Sequence, residues 1–314
     1  MSTALGPAAE HLPPRRFPIR RALRDGAVLA GLVFALYLLL VAAPAKNSMA
    51  FDVVAYWSVD LARPYAGNVG DLGFFAYSPA VALLLAPFTA LPWPVFLVGW
   101  YVLLGAAVLW LGRRRVLLLL AFPPVAIELY HANIHLHLAV AIVVGFRYPA
   151  AWAVVLLTKV TPGIGLLWFV ARREWRNLAL ALGATAAIVL ATYVVLPAQW
   201  SDWVALLTSQ SGTPPPWPAM PIPLWLRLPV AAALVWWGAR RDAYWTVPAA
   251  ATLALPALWP GGLAIMAACW RLPGGRRRYH SADAASRGAR HLVATRLGRA
   301  ARLQRGAADR AGAG

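Results

Sequence analysis

"GAVLAGLVFALYLLLVAAPA" (Gly26–Ala45) decides the class of this protein. It is an uncharged apolar run of about 20 residues, the length a helix needs to span a bilayer core. The chain repeats the theme, with apolar blocks near 26–45, 77–91, 94–111, 116–130, 135–146, 149–170, 177–197, 224–239, 243–258 and 260–270. Of its 314 residues, 61% are hydrophobic and 13% charged, and the mean hydropathy is +0.62. A soluble domain averages roughly 45–50% apolar and about 25% charged. The expected fold is an all-α polytopic membrane protein, a helical bundle of about ten apolar segments, some short or broken. Short pieces are tolerated at membrane depth when buried in protein or lining a cavity.

The formal net charge of +18 invites a nucleic-acid reading, but its distribution argues against one. Arg15, Arg16, Arg20, Arg21 and Arg24 precede the first block. Arg113 to Arg115, the Arg172–Arg176 run, and Arg240 with Arg241 lie between blocks, and a basic tail starts at Arg271. Lys and Arg collect in this way in cytoplasmic loops, where they also meet anionic membrane lipids. The expected organisation is a basic cytoplasmic N-terminus (1–25), a transmembrane domain (26–271) with outside loops 46–76 and 198–223, and a basic, disordered cytoplasmic tail (272–314). The place is the cell membrane.

Ten crossings are the preferred arrangement; they put both termini inside but leave Arg113 to Arg115 on the wrong side. In the alternative, 77–111 crosses once and a later block, 149–170, re-enters. Both arrangements put 46–76 outside the cytoplasm. The run "TPPPWPAMPIP" (Thr213–Pro223) favours polyproline II, with Trp200, Trp203, Trp217 and Trp225 expected as interface anchors. Cys269 is alone, so no intramolecular disulfide forms.

Ionisable residues inside apolar blocks are costly and usually line a site. Lys159 lies in "LLTKVTPGIG" (Leu156–Gly165) beside Pro162, which removes a backbone donor. An ammonium at a broken helix suits a phosphate; a pair with Glu128 is the structural alternative. "ELYHANIHLH" (Glu128–His137) carries His131, Asn133 and His135. His131 and His135 would share a face of one helix, a spacing suited to a metal, but there is no zincin motif and no third ligand. A polar hinge between two short helices fits better, and no metal or cofactor is expected. In "MAFDVVAYWSVD" (Met49–Asp60), Asp52 enters the first outside loop with Tyr56 one turn later. A carboxylate at that boundary serves as general base towards a hydroxyl or as a charge on a helix N-terminus.

The order of motifs then carries a resemblance: Asp52, "ARPYAG" (Ala62–Gly67), "FFAYSPAVALLLAPFTALP" (Phe74–Pro92), the polar hinge, "TKVTPG" (Thr158–Gly163) and "RREWR" (Arg172–Arg176). This resembles glycosyltransferase family 87 of the GT-C superfamily, in particular polyprenyl-phosphate-mannose-dependent alpha-(1→2)-mannosyltransferases, over about residues 25–270. The resemblance implies a GT-C-like bundle that moves a sugar from a polyprenyl-phosphate donor to a glycolipid hydroxyl with inversion. It implies that Asp52 is the catalytic base and that Lys159 and Thr161 meet the donor phosphate. Tyr56, Tyr65, Tyr77, His131 and Asn133 complete the substrate site. The family's Tyr-Pro-Pro reads Tyr77, Ser78, Pro79 here, and of its Gly-Gln-x-Asn hinge only Asn133 remains. A lipid-linked sugar transporter without transfer chemistry is the alternative function, since broken helices and buried charge fit that class too. An inactive family member is a third.

Overall fold

The computed structural model describes residues 19–46, 48–209 and 219–273, and their regular structure is helical throughout. Residues 1–18, Trp217 with most of the proline-rich run, and the tail beyond 273 lie outside the described residues. By length and composition, Arg21–Lys46, Trp93–Leu120 and Trp175–Val195 can each cross a membrane. A fourth span is available if the pair Pro123–His131 and His135–Gly145, bent by 117°, counts as one. The first of these carries a π-helical turn at Leu38–Ala42. Pro44 follows it, and a proline there would clash with the carbonyl four residues back in an unbroken helix.

Proline also divides the other blocks. Block 77–91 holds only the helix Pro79–Leu85 and the turn Ala86–Phe88, about 15 Å of helix at 1.5 Å per residue, which is too short to cross. Block 116–130 is split where Pro123 and Pro124 begin a new helix.

Two further blocks double back. Trp152–Thr158 leads to Lys159, and Thr161–Leu166 with Leu167–Ala171 returns beside it. The Trp152 ring meets Phe169 at 6.5 Å, edge to face. A Cβ on Gly165 would lie 2.3 Å from Trp152, and one on Gly163 2.3 Å from Leu156. These two glycines allow the arms to close, and Lys159 and Val160 form the tip. A second hairpin runs up Thr246–Leu253 and back along the 3₁₀ helix Pro260–Trp270, with Leu255 against Gly262.

This geometry corrects the preferred ten separate crossings and has the shape of the alternative, with one membrane-length helix in 77–111 and 149–170 folded back on itself. It also removes the charge anomaly. Trp93 meets Trp57 at 5.2 Å at the Asp52 end, whereas Trp110, near the other end of its helix, carries the Arg271 guanidinium 4.6 Å above its ring. Arg113 to Arg115 therefore turn at the same end as Arg271 and Arg24, which line or flank a groove shared with Phe122 and Trp270. At the far end of His135–Gly145, Phe146 packs on Trp168 and Tyr244 at 5.4 and 5.2 Å. There Arg172 donates to Glu174 at 2.9 Å, Asp242 at 2.5 Å and the Ala239 carbonyl at 3.0 Å. The two basic loops 172–176 and 240–242 are thus tied together.

The expectation for 198–223 is corrected in part. Pro197–Ser209 is a helix, started by a proline in its first turn, where the missing N–H costs nothing. Trp200 and Trp203 are buried rather than interfacial, and Trp203 donates to the Ala76 carbonyl at 3.3 Å. Gln199 donates to the Leu61 carbonyl at 3.0 Å, so this helix covers the 46–76 loop. Trp225 is exposed.

Candidate functional site

Four chain breaks meet at the Asp52 end, and each supplies a polar group. The first is the 117° hinge. Helix Pro123–His131 ends at Ala132, whose φ of 54° is left-handed and terminates the helix. The Ala132 carbonyl accepts the Trp100 indole N–H at 2.8 Å.

The second break is the loop after the first span. The last carbonyls of a helix have no partner within it. Here Tyr130 O accepts the Ala50 amide at 2.8 Å and His131 O accepts the Asp52 amide at 3.0 Å. Ser48 and Tyr130 join through their hydroxyls. The loop that the sequence leaves free is therefore clipped to the hinge, and Asp52 faces Asn133.

Asn133 Nδ2 donates to Asp52 Oδ2 at 2.7 Å. Its Oδ1 accepts the Ile134 amide at 2.7 Å and the Tyr56 hydroxyl at 3.2 Å. Tyr56 stands one turn beyond Asp52, in Val54–Trp57, and its hydroxyl meets that of Tyr77 at 2.8 Å. Trp100 packs on the Tyr56 ring at 4.7 Å.

Tyr77 belongs to the third break, the extended stretch before Pro79–Leu85. Its carbonyl accepts the Tyr65 hydroxyl at 3.0 Å. The next amide, Ser78 N–H, donates to Leu157 O at 3.3 Å and ties this stretch to the Lys159 hairpin, the fourth break. Lys159 Nζ lies 5.3 Å from the centre of the Tyr77 ring, a cation–π distance. Asp52, Asn133, Tyr56, Tyr77 and Lys159 thus form one connected series, with Tyr65 attached to it. His131 lies beside Asp52 on the hinge, with its ring edge-on to Tyr130 at 4.7 Å.

The electrostatics of the ends differ. Burial pushes the Asp52 carboxyl above the usual aspartate range, and the nearby His131 and the Asn133 hydrogen bond offset only part of that. Lys159 has no carboxylate within 4.0 Å among the described residues, and the Thr161 hydroxyl is buried without a hydrogen-bond partner. The Glu128–Lys159 pair does not form, because Glu128 is used elsewhere. It is 1% exposed and accepts the His135 and Leu136 amides at 2.5 and 3.3 Å, with its other oxygen 2.9 Å from His135 Nδ1.

His131 and His135 do not share a helix face, since one helix ends at His131 and the next begins at His135 across the bend. Among the described residues no three His, Cys, Asp or Glu side chains gather in a metal-binding group. The sequence gives no sign of the role of Trp100 and only a false partner for Glu128. Trp100 backs both Ala132 and Tyr56, but in sequence it is one more tryptophan in an apolar helix. Glu128 stood out as the only glutamate within an apolar block, and only the bend reveals its partners.

The assembled site offers a carboxylate held by an amide, a wall of tyrosine hydroxyls, and a cation free for an anionic group. Comparisons with curated proteins and with solved structures return no match. The family model described as Glycosyltransferase family 87 matches residues 75–295, well over half of the chain. The match takes in Tyr77, His131, Asn133, Lys159 and Thr161, whereas Asp52, Tyr56 and Tyr65 precede it. A helical chain with membrane-length apolar helices and this match is a membrane glycosyltransferase, and it belongs to glycosyltransferase family 87.

Proposed function

We propose that the chain transfers mannose from a polyprenyl-phosphate donor to a hydroxyl of a glycolipid or cell-envelope glycan, with inversion at the anomeric carbon. The reaction takes place at the extracytoplasmic face of the cell membrane. The observation that carries this reading is the series from Asp52 through Asn133, Tyr56 and Tyr77 to Lys159. It sets a carboxylate at one end of a polar wall and an uncompensated cation at the other.

Asp52 takes the proton of the acceptor hydroxyl as that oxygen bonds to the anomeric carbon. The bond from the anomeric carbon to the phosphate oxygen breaks, and polyprenyl phosphate leaves with the electron pair. Lys159 neutralises the phosphate before and after departure, and the Thr161 hydroxyl donates to it. A base works best when its pKa approaches the working pH, and burial moves Asp52 in that direction. Asn133 turns the Asp52 carboxyl, while Tyr56, Tyr65, Tyr77 and His131 line the sugar. The apolar sides of the hairpins leave the prenyl chain in lipid.

The test is transfer by membranes containing the chain, supplied with labelled polyprenyl-phosphate mannose. A new alpha-mannosidic bond on a lipid acceptor, formed from a beta-linked donor, supports the reading. Transfer only from a sugar nucleotide, or movement of the donor across vesicles without a new glycosidic bond, contradicts it.

A further inference from the structure

We infer that Glu128 is a positioning residue for Asp52, acting across the hinge through Asn133. This rests on the reading of Asp52 as the base. Helix His135–Gly145 lacks a side-chain cap from its own N-cap residue, Ile134. The first N–H groups of a helix need acceptors, and here they find them on the preceding helix. Glu128 Oε1 accepts the amides of His135 and Leu136 at 2.5 and 3.3 Å, and Oε2 pairs with His135 Nδ1 at 2.9 Å. A carboxyl 1% exposed, with both oxygens committed, fixes the start of one helix relative to the end of the other. Gly261 closes in on the same carboxyl, since a Cβ there would lie 3.5 Å from Glu128 Oε2.

The residues between the helices are tied down by contacts of their own. Ala132 is held left-handed with its carbonyl on Trp100, and the Asn133 Oδ1 takes two donors. Nδ2 is left to face Asp52 at 2.7 Å. Meanwhile His131 O, on the Glu128 side of the bend, holds the Asp52 amide. The bend therefore sets how Asn133, in the hinge, meets the carboxyl of Asp52, whose amide is held by His131 O at the end of the first helix, and Glu128 sets the bend. A displacement of about 1 Å at a reacting group costs up to about a hundredfold in rate.

Two measurements test this, and the first needs no activity. Hydrogen exchange is followed by mass spectrometry on the purified chain in nanodiscs. Glu128→Ala is expected to speed exchange of the His135 and Leu136 amides and also of the Asp52 amide, each by at least about tenfold. Faster exchange at His135 and Leu136 with unchanged protection at Asp52 overturns the proposal. So does unchanged exchange at all three.

The second measurement is a double-mutant cycle on transfer. Glu128→Ala and Asn133→Ala each lower kcat about tenfold with the donor KM nearly unchanged, and the double variant is no more than about threefold worse than the poorer single variant. Multiplied losses mean that Glu128 acts independently of Asn133 and overturn the proposal. If Glu128→Ala does not fold, Glu128→Gln and Glu128→Asp decide the matter. The glutamine retains an acceptor at the right reach and keeps kcat within about threefold, while the shorter aspartate loses about tenfold. Equal rates for the two contradict a positioning role. Failure of the unaltered chain to use the donor strikes the proposed function and leaves the exchange result standing on its own.

Discussion

Two chain breaks meet at Tyr77, and they are built in opposite ways. At the Ala132–Ile134 hinge the groups that face Asp52 have partners: Ala132 O holds Trp100, Asn133 uses both ends of its amide, and Glu128 caps the next helix, while both ring nitrogens of His137, farther along that helix, are buried without one. At the Lys159–Val160 tip, among the described residues, the ammonium lies over the face of Tyr77 without a carboxylate within 4.0 Å, and the Thr161 hydroxyl has no hydrogen-bond partner. Buried polar groups are normally satisfied because leaving them bare is expensive. A bare hydroxyl beside an ammonium without a carboxylate is a pair that an incoming anion can complete. The contrast supports the proposal that the hinge holds Asp52 and the tip receives an anion.

The largest effect that would sharpen this contrast is at the base. Asp52→Asn should lower kcat by about a thousandfold, within the range for loss of a general base, while donor binding stays within about twofold. Full turnover by this variant breaks the assignment. Lys159→Met comes next. Losing a charged contact to phosphate is worth roughly 2–3 kcal/mol, or about a hundredfold in kcat/KM. The same variant should melt at the same temperature as the parent or higher in the absence of donor, because an uncompensated cation has been removed. A marked drop in Tm would show that Lys159 has a structural partner.

Asn133→Ala should cost about tenfold in kcat and also alter the pH dependence. The Asp52 carboxyl already lies above the usual aspartate range. Activity therefore falls as the pH drops through that raised value, since the base becomes protonated. Asn133 donates to the ionised form, so removing it should move the acid limb to higher pH. A shift to lower pH, or none, contradicts the contact. Tyr77→Phe should be the mildest. It removes one hydroxyl pair with Tyr56, about 1 kcal/mol of stability, and leaves the ring beneath Lys159. Its donor KM should change by less than about threefold, and a larger change would mean that the hydroxyl touches the donor.

Much of this contrast was legible in the sequence, and the exceptions have physical reasons. Hydropathy marks blocks well but does not show direction. The run 149–170 reads as one long span, yet Pro162, Gly163 and Gly165 make it a hairpin with Lys159 at its turn. The alternative topology drew on a separate signal, the misplaced Arg113–Arg115 turn, whereas the preferred ten crossings followed apolar length alone. The polar hinge was recognisable from "ELYHANIHLH", but the bend separates His131 from His135, so helical spacing misled there. The proline-rich content of 198–223 hid the helix Pro197–Ser209, because proline is as welcome in the first turn as in a loop. Glu128 stands out for its charge, and a pair with Lys159, one of two alternatives, does not form. A carboxyl that caps backbone amides in another helix leaves no local pattern to read. The Asp52–Asn133 contact spans 81 residues, and no periodicity reaches that far.

The most direct test of the central claim is a structure of Asp52→Asn bound to polyprenyl-phosphate mannose. The phosphate is expected within hydrogen-bond reach of Lys159, with the anomeric carbon turned towards residue 52 and an opening for a hydroxyl between them. A phosphate bound away from Lys159, or a sugar whose anomeric carbon faces away from residue 52, would contradict it.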